Sequence, residues 1–173
     1  MPAPRNRSPF LIGVAVGIGV WVVGYLFSIA FVAVVRPSPL FDAFSIPGAA
    51  GLVYVFGSVF VLLLLFGETY PALMALPGVV GLLVAVAGGA TVPVRTDRLS
   101  DGWAATKTGA TVGVGVFLAA LAALTVYLLP STPVSRTPVS LRYIALLFGN
   151  LLLPALAGAL GGAVQHTLAT RQS

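Results

Sequence analysis

Glu68 is the only glutamate in the chain. It lies in FGETYPALMALPG, residues 66–78, between two strongly apolar runs. A carboxylate at membrane depth is costly and marks ion or proton pathways, so its placement decides what chemistry is open to it. A surface turn satisfies five successive residues: Gly67 permits a positive φ, Glu68 and Thr69 are polar, Tyr70 suits head-group depth, and Pro71 suits a helix start. The other arrangement is a break inside the membrane. Pro77-Gly78, just beyond, would kink or unwind the following helix, and with such a kink the turn would hold Glu68 in a shallow aqueous vestibule rather than on an open surface.

Asn150 and Pro154 form the second candidate, in LFGNLLLP. Proline has no N–H, so the carbonyl four residues earlier loses its helical donor. That residue is Asn150, whose own side chain is an amide. An interrupted helix of this kind offers a ligand or ion contact. The competing role is a hydrogen bond to a neighbouring helix, worth about 1 kcal/mol.

His166 is the only histidine. It lacks nearby acids or cysteines, so it reads as an interfacial side chain at a helix C-terminus rather than a metal ligand. There are no cysteines, hence no disulfide framework, thiolate site or cysteine nucleophile. GxSxG, HExxH and phosphate-loop patterns are absent, and no two carboxylates fall inside the apolar runs. The expectation is a non-enzymatic protein with no cofactor and no metal.

The elements that must carry these residues are apolar. Hydrophobic residues make up 58% and charged residues 8%, against about 25% charged in soluble domains. A chain with so few charges could not cover a soluble surface, and its mean hydropathy of +1.06 agrees. Lipid is the expected solvent. Five segments reach or approach the roughly 20 apolar residues that a helical crossing needs: 10–35, 48–66, 71–92, 108–129 and 141–168. Runs such as VLLLLF do not alternate, which excludes barrel strands. The fold class is therefore an all-α, polytopic transmembrane helix bundle of about five spans, forming one integral membrane domain over 1–173. The first run is too long for a secretory signal and reads as a retained span.

The connections are short and rich in proline. Residues 93–107, PVRTDRLSDGWAATK, are the most polar, and Ser100 or Asp101 suits the start of a short interfacial helix with Trp103 at head-group depth. The net charge of +5 is scattered, without a basic run, so nucleic acid is not an expected partner. Five crossings would put Arg5, Arg7, Arg136 and Arg142 on one side. The other would hold Arg36, Arg95, Arg98, Lys107 and Arg171. That division gives no orientation by the positive-inside rule.

Three GxxxG pairs occur, at Gly13/Gly17, Gly109/Gly113 and Gly158/Gly162. Twenty glycines placed at random would give about two such pairs, so the count alone does not imply a dimer motif. The Gly/Ala content of the first, fourth and fifth segments suits close helix packing or a subunit contact. Trp21, Tyr25, Tyr54 and Tyr127 fall within the runs and read as packing groups.

The first segment, with VGIGVWVVGYLFSIAF, and the last, with ALLFGNLLLPALAGALGGAV, resemble small multi-pass membrane proteins of halophilic archaea, and the Gly/Ala-rich fourth segment is similar in style. The connections depart from that style in being basic. The resemblance implies a helical protein of the cell membrane. The function expected first is a structural or accessory subunit that packs in the lipid bilayer as a homo-oligomer or within a larger complex. The alternative is a small-solute permease or the membrane subunit of a transporter, with Glu68, Asn150 and Pro154 as its functional polar sites.

Overall fold

The computed structural model describes residues 8–35, 45–65, 72–125 and 145–172. They are helical, with no strand among them. Helix α1 is Pro9–Val35, α2 is Ile46–Leu65, α3 is Ala72–Arg95 and α4 is Gly102–Ala123. A π-helical stretch, Ala145–Leu152, runs directly into α5, Leu153–Arg171. Four stretches are long and apolar enough to cross a membrane: Pro9–Val35, Met74–Arg95, Gly102–Ala123 and Leu147–Arg171. The all-α bundle expected from the apolar runs is thus present.

Helix starts follow local chemistry. Ser45 Oγ accepts from Gly48 N at 3.4 Å, and Pro47 sits in the first turn of α2. Asp101 caps α4, its carboxylate accepting from Trp103 N at 2.9 Å. So Asp101 starts no separate interfacial helix; α4 itself begins at Gly102, six residues before the apolar run does. Likewise α3 continues through Pro93 to Arg95. Only 96–101 lies between the two helices. Asp97 there has φ 52°, the left-handed region that Asp tolerates in tight turns.

Helix directions follow from which residues meet. Gly13 faces Thr111 and Gly17 faces Val112 and Gly115, so α1 and α4 run the same way. Gly109 meets Gly158, Gly113 meets Ala155 and Ala105 meets Gly162, so α4 and α5 are antiparallel. Gly78 and Gly81 of α3 share a cavity with Gly149 and Pro154, while Arg95 lies near Gln165, so α3 and α5 are parallel. One end of the bundle therefore holds the start of α1, the turn 96–101 and the end of α5. The opposite end holds the end of α1, the start of α3 and the π-helical stretch.

This arrangement leaves α2 with both neighbours at the same end. Its contacts lie there too. Ala49, Ala50 and Val53 cluster with Phe31 and Val32, Val55 clusters with Ala120 and Leu124, and Gly57 packs on Gly78. Four helices carry the chain from end to end, whereas the contacts of α2, described from Ile46 to Ser58, lie toward one end. The apolar length of 48–66 shows a helix in an apolar setting, but its direction is set by tertiary contacts that length cannot report.

Glycine is what lets the four long helices approach. A Cβ on Gly158 would run into the carbonyl oxygen of Gly109, and one on Gly89 into the backbone of Gly158. A Cβ on Gly17 would meet the carbonyl oxygen of Val112. All three GxxxG pairs thus face other helices of the same chain, and so does the small face of α5. The surface left outside is aliphatic, with Leu11, Val23, Leu26, Leu83, Leu156 and Leu160 at least half exposed. Such a surface suits contact with lipid.

Gly158→Leu is expected to lower stability by at least the 1–3 kcal/mol typical of overpacking, measured by unfolding in lipid nanodiscs. Gly19→Leu is the control. Gly19 is exposed with no atom near its would-be Cβ, and the change should stay within about 0.5 kcal/mol. Equal effects would mean that the glycine contact is not what holds the helices.

Candidate functional site

Asn150 and Pro154 lie where α5 begins, at the end of the bundle that holds α2. Pro154 is the second residue of α5, and the eight residues before Leu153 are wound as π-helix. Proline sends no donor back to the preceding turn, and π turns recur at functional sites because they widen and re-aim the backbone. Asn150 is 3% exposed. Its Nδ2 donates to the carbonyl of Val55 on α2 at 3.0 Å. The amide therefore ties the π-helical stretch to α2, as interhelical glue would.

Pro77 and Gly78, flagged separately in the sequence, reach the same place. Gly78 packs on Gly57 of α2, with Gly57's would-be Cβ 3.0 Å from Gly78 N. A cavity lies between these elements. It is lined by Tyr54 and Ser58 of α2, Gly78 and Gly81 of α3, and Gly149, Asn150 and Pro154, with Val20 and Val116 closing it from α1 and α4. The centre of a water-sized sphere has about 10 Å³ to move in, near the lower limit for holding one water.

Ser58 is the unusual group. Hydroxyls in apolar helices normally bond back to a carbonyl of their own helix. Ser28 does so to Gly24 at 2.9 Å, Thr91 to Gly88 at 2.7 Å, Thr108 to Ala104 at 2.9 Å and Thr111 to Thr108 at 2.6 Å. Ser58 Oγ, in a residue 6% exposed, has no hydrogen-bond partner. A buried hydroxyl left unpaired costs about 1–3 kcal/mol, and this one borders the cavity.

Tyr54 forms the adjoining wall. Its ring fits a slot made by Gly24 of α1 and Gly81 of α3. Trp21 packs edge-on to it at 5.8 Å and stacks on Tyr25 at 5.1 Å. Trp21 Nε1 is the second buried polar atom without a partner among the described residues. Tyr25 donates to the carbonyl of Pro47 at 3.1 Å, fixing the start of α2 against α1. These aromatics pack, as their positions in the apolar runs suggest, but one of them also lines the polar space.

The remaining candidates lie elsewhere. Glu68 falls outside the described residues, as do Tyr127 and the linker 130–140. His166 is at the far end of the bundle, with Nδ1 2.6 Å from the carbonyl of Leu99. A carbonyl only accepts, so Nδ1 carries the proton. That bond pins the end of α5 to the turn 96–101. No group of three or more His, Asp or Glu able to hold a metal occurs among the described residues.

Ser58 is the member that sequence reading passes over. The signal is present: it is the only polar residue besides Tyr54 in the run 48–66. What converges here is a set of neutral donors and acceptors in a space of one water. No charged side chain is among the lining residues, so an ion would lie there without a counter-charge, at a cost of several kcal/mol by general estimates. The site suits a neutral hydrogen-bonding molecule.

Asn150→Leu removes the tie to α2 and is expected to cost about 1 kcal/mol in denaturant unfolding in detergent. Ser58→Ala breaks no bond within the protein and is expected to shift stability by less than Asn150→Leu does. The reverse order would show that the Ser58 hydroxyl, not the Asn150 amide, joins the two elements.

No family model matches this chain, and no curated protein or solved structure matches it either, so no relative's activity bears on the site.

Proposed function

We propose that this is a multi-pass, non-enzymatic protein of the cell membrane that acts as a small-solute permease or as the membrane subunit of a transporter. Four helices cross the bilayer and α2 is set into one half of it. The site where it handles solute is the space bordered by Ser58, Tyr54 and Asn150. The observation that carries this reading is the unpaired hydroxyl of Ser58 beside a cavity of one water's size. Helix interruptions surround it, at Pro77-Gly78 and at the π-helical stretch before Pro154. Interrupted helices beside buried polar groups are how membrane transporters build binding sites away from water.

The solute class follows from size and charge. It is uncharged, it both donates and accepts hydrogen bonds, and it is about as large as water. Water itself and ammonia are members of that class. The accessory-subunit reading draws its support from small-residue faces, and those faces meet other helices of this chain.

Purified protein in proteoliposomes should raise water entry measured by stopped-flow light scattering, or ammonia entry measured with an internal pH dye, above that of empty liposomes. Ser58→Val fills the space with methyl groups and removes the hydroxyl. It should slow entry about tenfold, the rate equivalent of one hydrogen bond of roughly 1.4 kcal/mol. Ser28→Ala, which changes a buried hydroxyl bonded to its own helix, should leave entry unchanged. Permeability equal to that of empty liposomes for both solutes would reject the permease and leave the accessory role as the better account.

A further inference from the structure

The helix directions separate α2 from the described basic residues. The end of α1 and the start of α3 lie at the end that holds the contacts of α2, and the start of α1, the turn 96–101 and the end of α5 share the other. All four basic residues among the described ones, Arg95, Arg98, Lys107 and Arg171, lie at that shared end. Such a one-sided distribution is the kind of asymmetry that sets orientation, since basic residues in short connections stay on the cytoplasmic side.

The surface chemistry at the basic end agrees. Arg95, Arg98, Lys107 and Arg171 are exposed. Trp103 is 66% exposed, and Lys107 Nζ lies 4.7 Å from the centre of its ring. A shallow groove of about 310 Å³ is lined by Pro9, Arg98, Trp103, Lys107 and the carboxylate of Asp101. An exposed indole beside cations, at the end of apolar helices, matches the head-group layer: the ring suits interfacial depth, and the cations meet lipid phosphates.

We infer that the bundle sits with this basic end in the cytoplasmic leaflet, docked on anionic phospholipid head groups, and with α2 and its polar cavity in the opposite half of the membrane. The inference rests on the multi-pass reading but not on the permease reading. It also gives the polar cavity a side: whatever enters the space beside Ser58 has the shorter route from the non-cytoplasmic face.

The absence of cysteine makes the test direct. Ser100→Cys and Gln172→Cys place single thiols at the basic end, and Ser45→Cys places one at the α2 end; all three positions are exposed. A membrane-impermeant maleimide is applied to intact cells and to inverted vesicles. Labelling of Ser45→Cys from outside only, with Ser100→Cys and Gln172→Cys from inside only, is the expected result. Ser45→Cys and Ser100→Cys labelled from the same face would overturn the helix directions. The opposite assignment of faces would overturn the orientation alone. If the protein washed off membranes in alkaline carbonate and every thiol reacted in both preparations, the multi-pass reading itself would fail.

The charge reversal Arg95→Glu/Arg98→Glu/Lys107→Glu tests the cause. It is expected to give Ser100→Cys labelling from both faces, and unchanged single-sided labelling would overturn the role of the basic end. In nanodiscs, phosphatidylglycerol should raise the unfolding temperature over phosphatidylcholine for the wild type and not for the triple variant. Equal temperatures for the wild type in the two lipids would overturn the docking on anionic head groups.

Discussion

Three helix backbones converge at Gly158, and the rest of the bundle depends on that convergence. Gly89 of α3 and Gly109 of α4 both meet Gly158 of α5 with no room for a Cβ at any of the three. In an apolar solvent, helices gain nothing from burying leucine, since lipid is as apolar as the neighbour. What remains is close contact between backbones and the dispersion it yields. Glycine supplies that contact at a conformational cost, because it is the worst helix former after proline. The chain accepts this cost repeatedly. Gly13, Gly17 and Gly115 seat α1 on α4, and Gly161 seats α5 against the Val86 carbonyl of α3. Large aliphatic side chains are left to point outward, the reverse of a water-soluble core.

The glycine contacts do not extend through the whole bundle, and the polar site lies where they give way. Toward the end that holds α2, α5 is replaced by π-helix, and Ala120 of α4 and Leu124 just past its end stand where glycine would otherwise pack. Helix α2 occupies the region this opens. It is held by one more glycine pair, Gly57 on Gly78, by the apolar cluster around Val55, and by the Asn150 amide. The seam between α2 and the other helices is where a small void persists, because interdigitation there must satisfy four elements at once. The void is bordered by Ser58, Tyr54 and Asn150 as well as by Leu82, Val20 and Val116, so it offers hydrogen-bonding groups that a purely apolar packing defect lacks.

Much of this was legible from residue type, and the remainder was not for identifiable reasons. Apolar runs without alternation give helices, and Asp101 gives a helix start, although the helix it starts is α4 itself. Pro77-Gly78 and Asn150 with Pro154 stand out as interruptions in otherwise uniform apolar sequence. Nothing in their spacing shows that residues more than seventy positions apart adjoin one cavity. Ser58 is quieter still. A serine in an apolar helix ordinarily satisfies itself on its own backbone, as Ser28 does, and only the finished fold distinguishes the one that does not. The glycine pairs could be recognised as close-contact positions, but not assigned to partners, since the same pattern serves a second copy as well as a neighbouring helix of the same chain.

Direction is the property least available to hydropathy. An apolar run reports its solvent and not its course, so 48–66 looks like any other crossing. Yet the contacts among the long helices put the end of α1 and the start of α3 at the same end, which a full crossing between them would not allow. The basic residues among the described ones lie together at the opposite end. Packing and charge are nearly independent here: the helix directions follow mainly from glycine contacts among uncharged segments, and the described basic residues lie in the turn 96–101 or in the end turns of helices. Together they set α2's seat against Gly78, a contact between two glycines, at the end of the bundle opposite those cations.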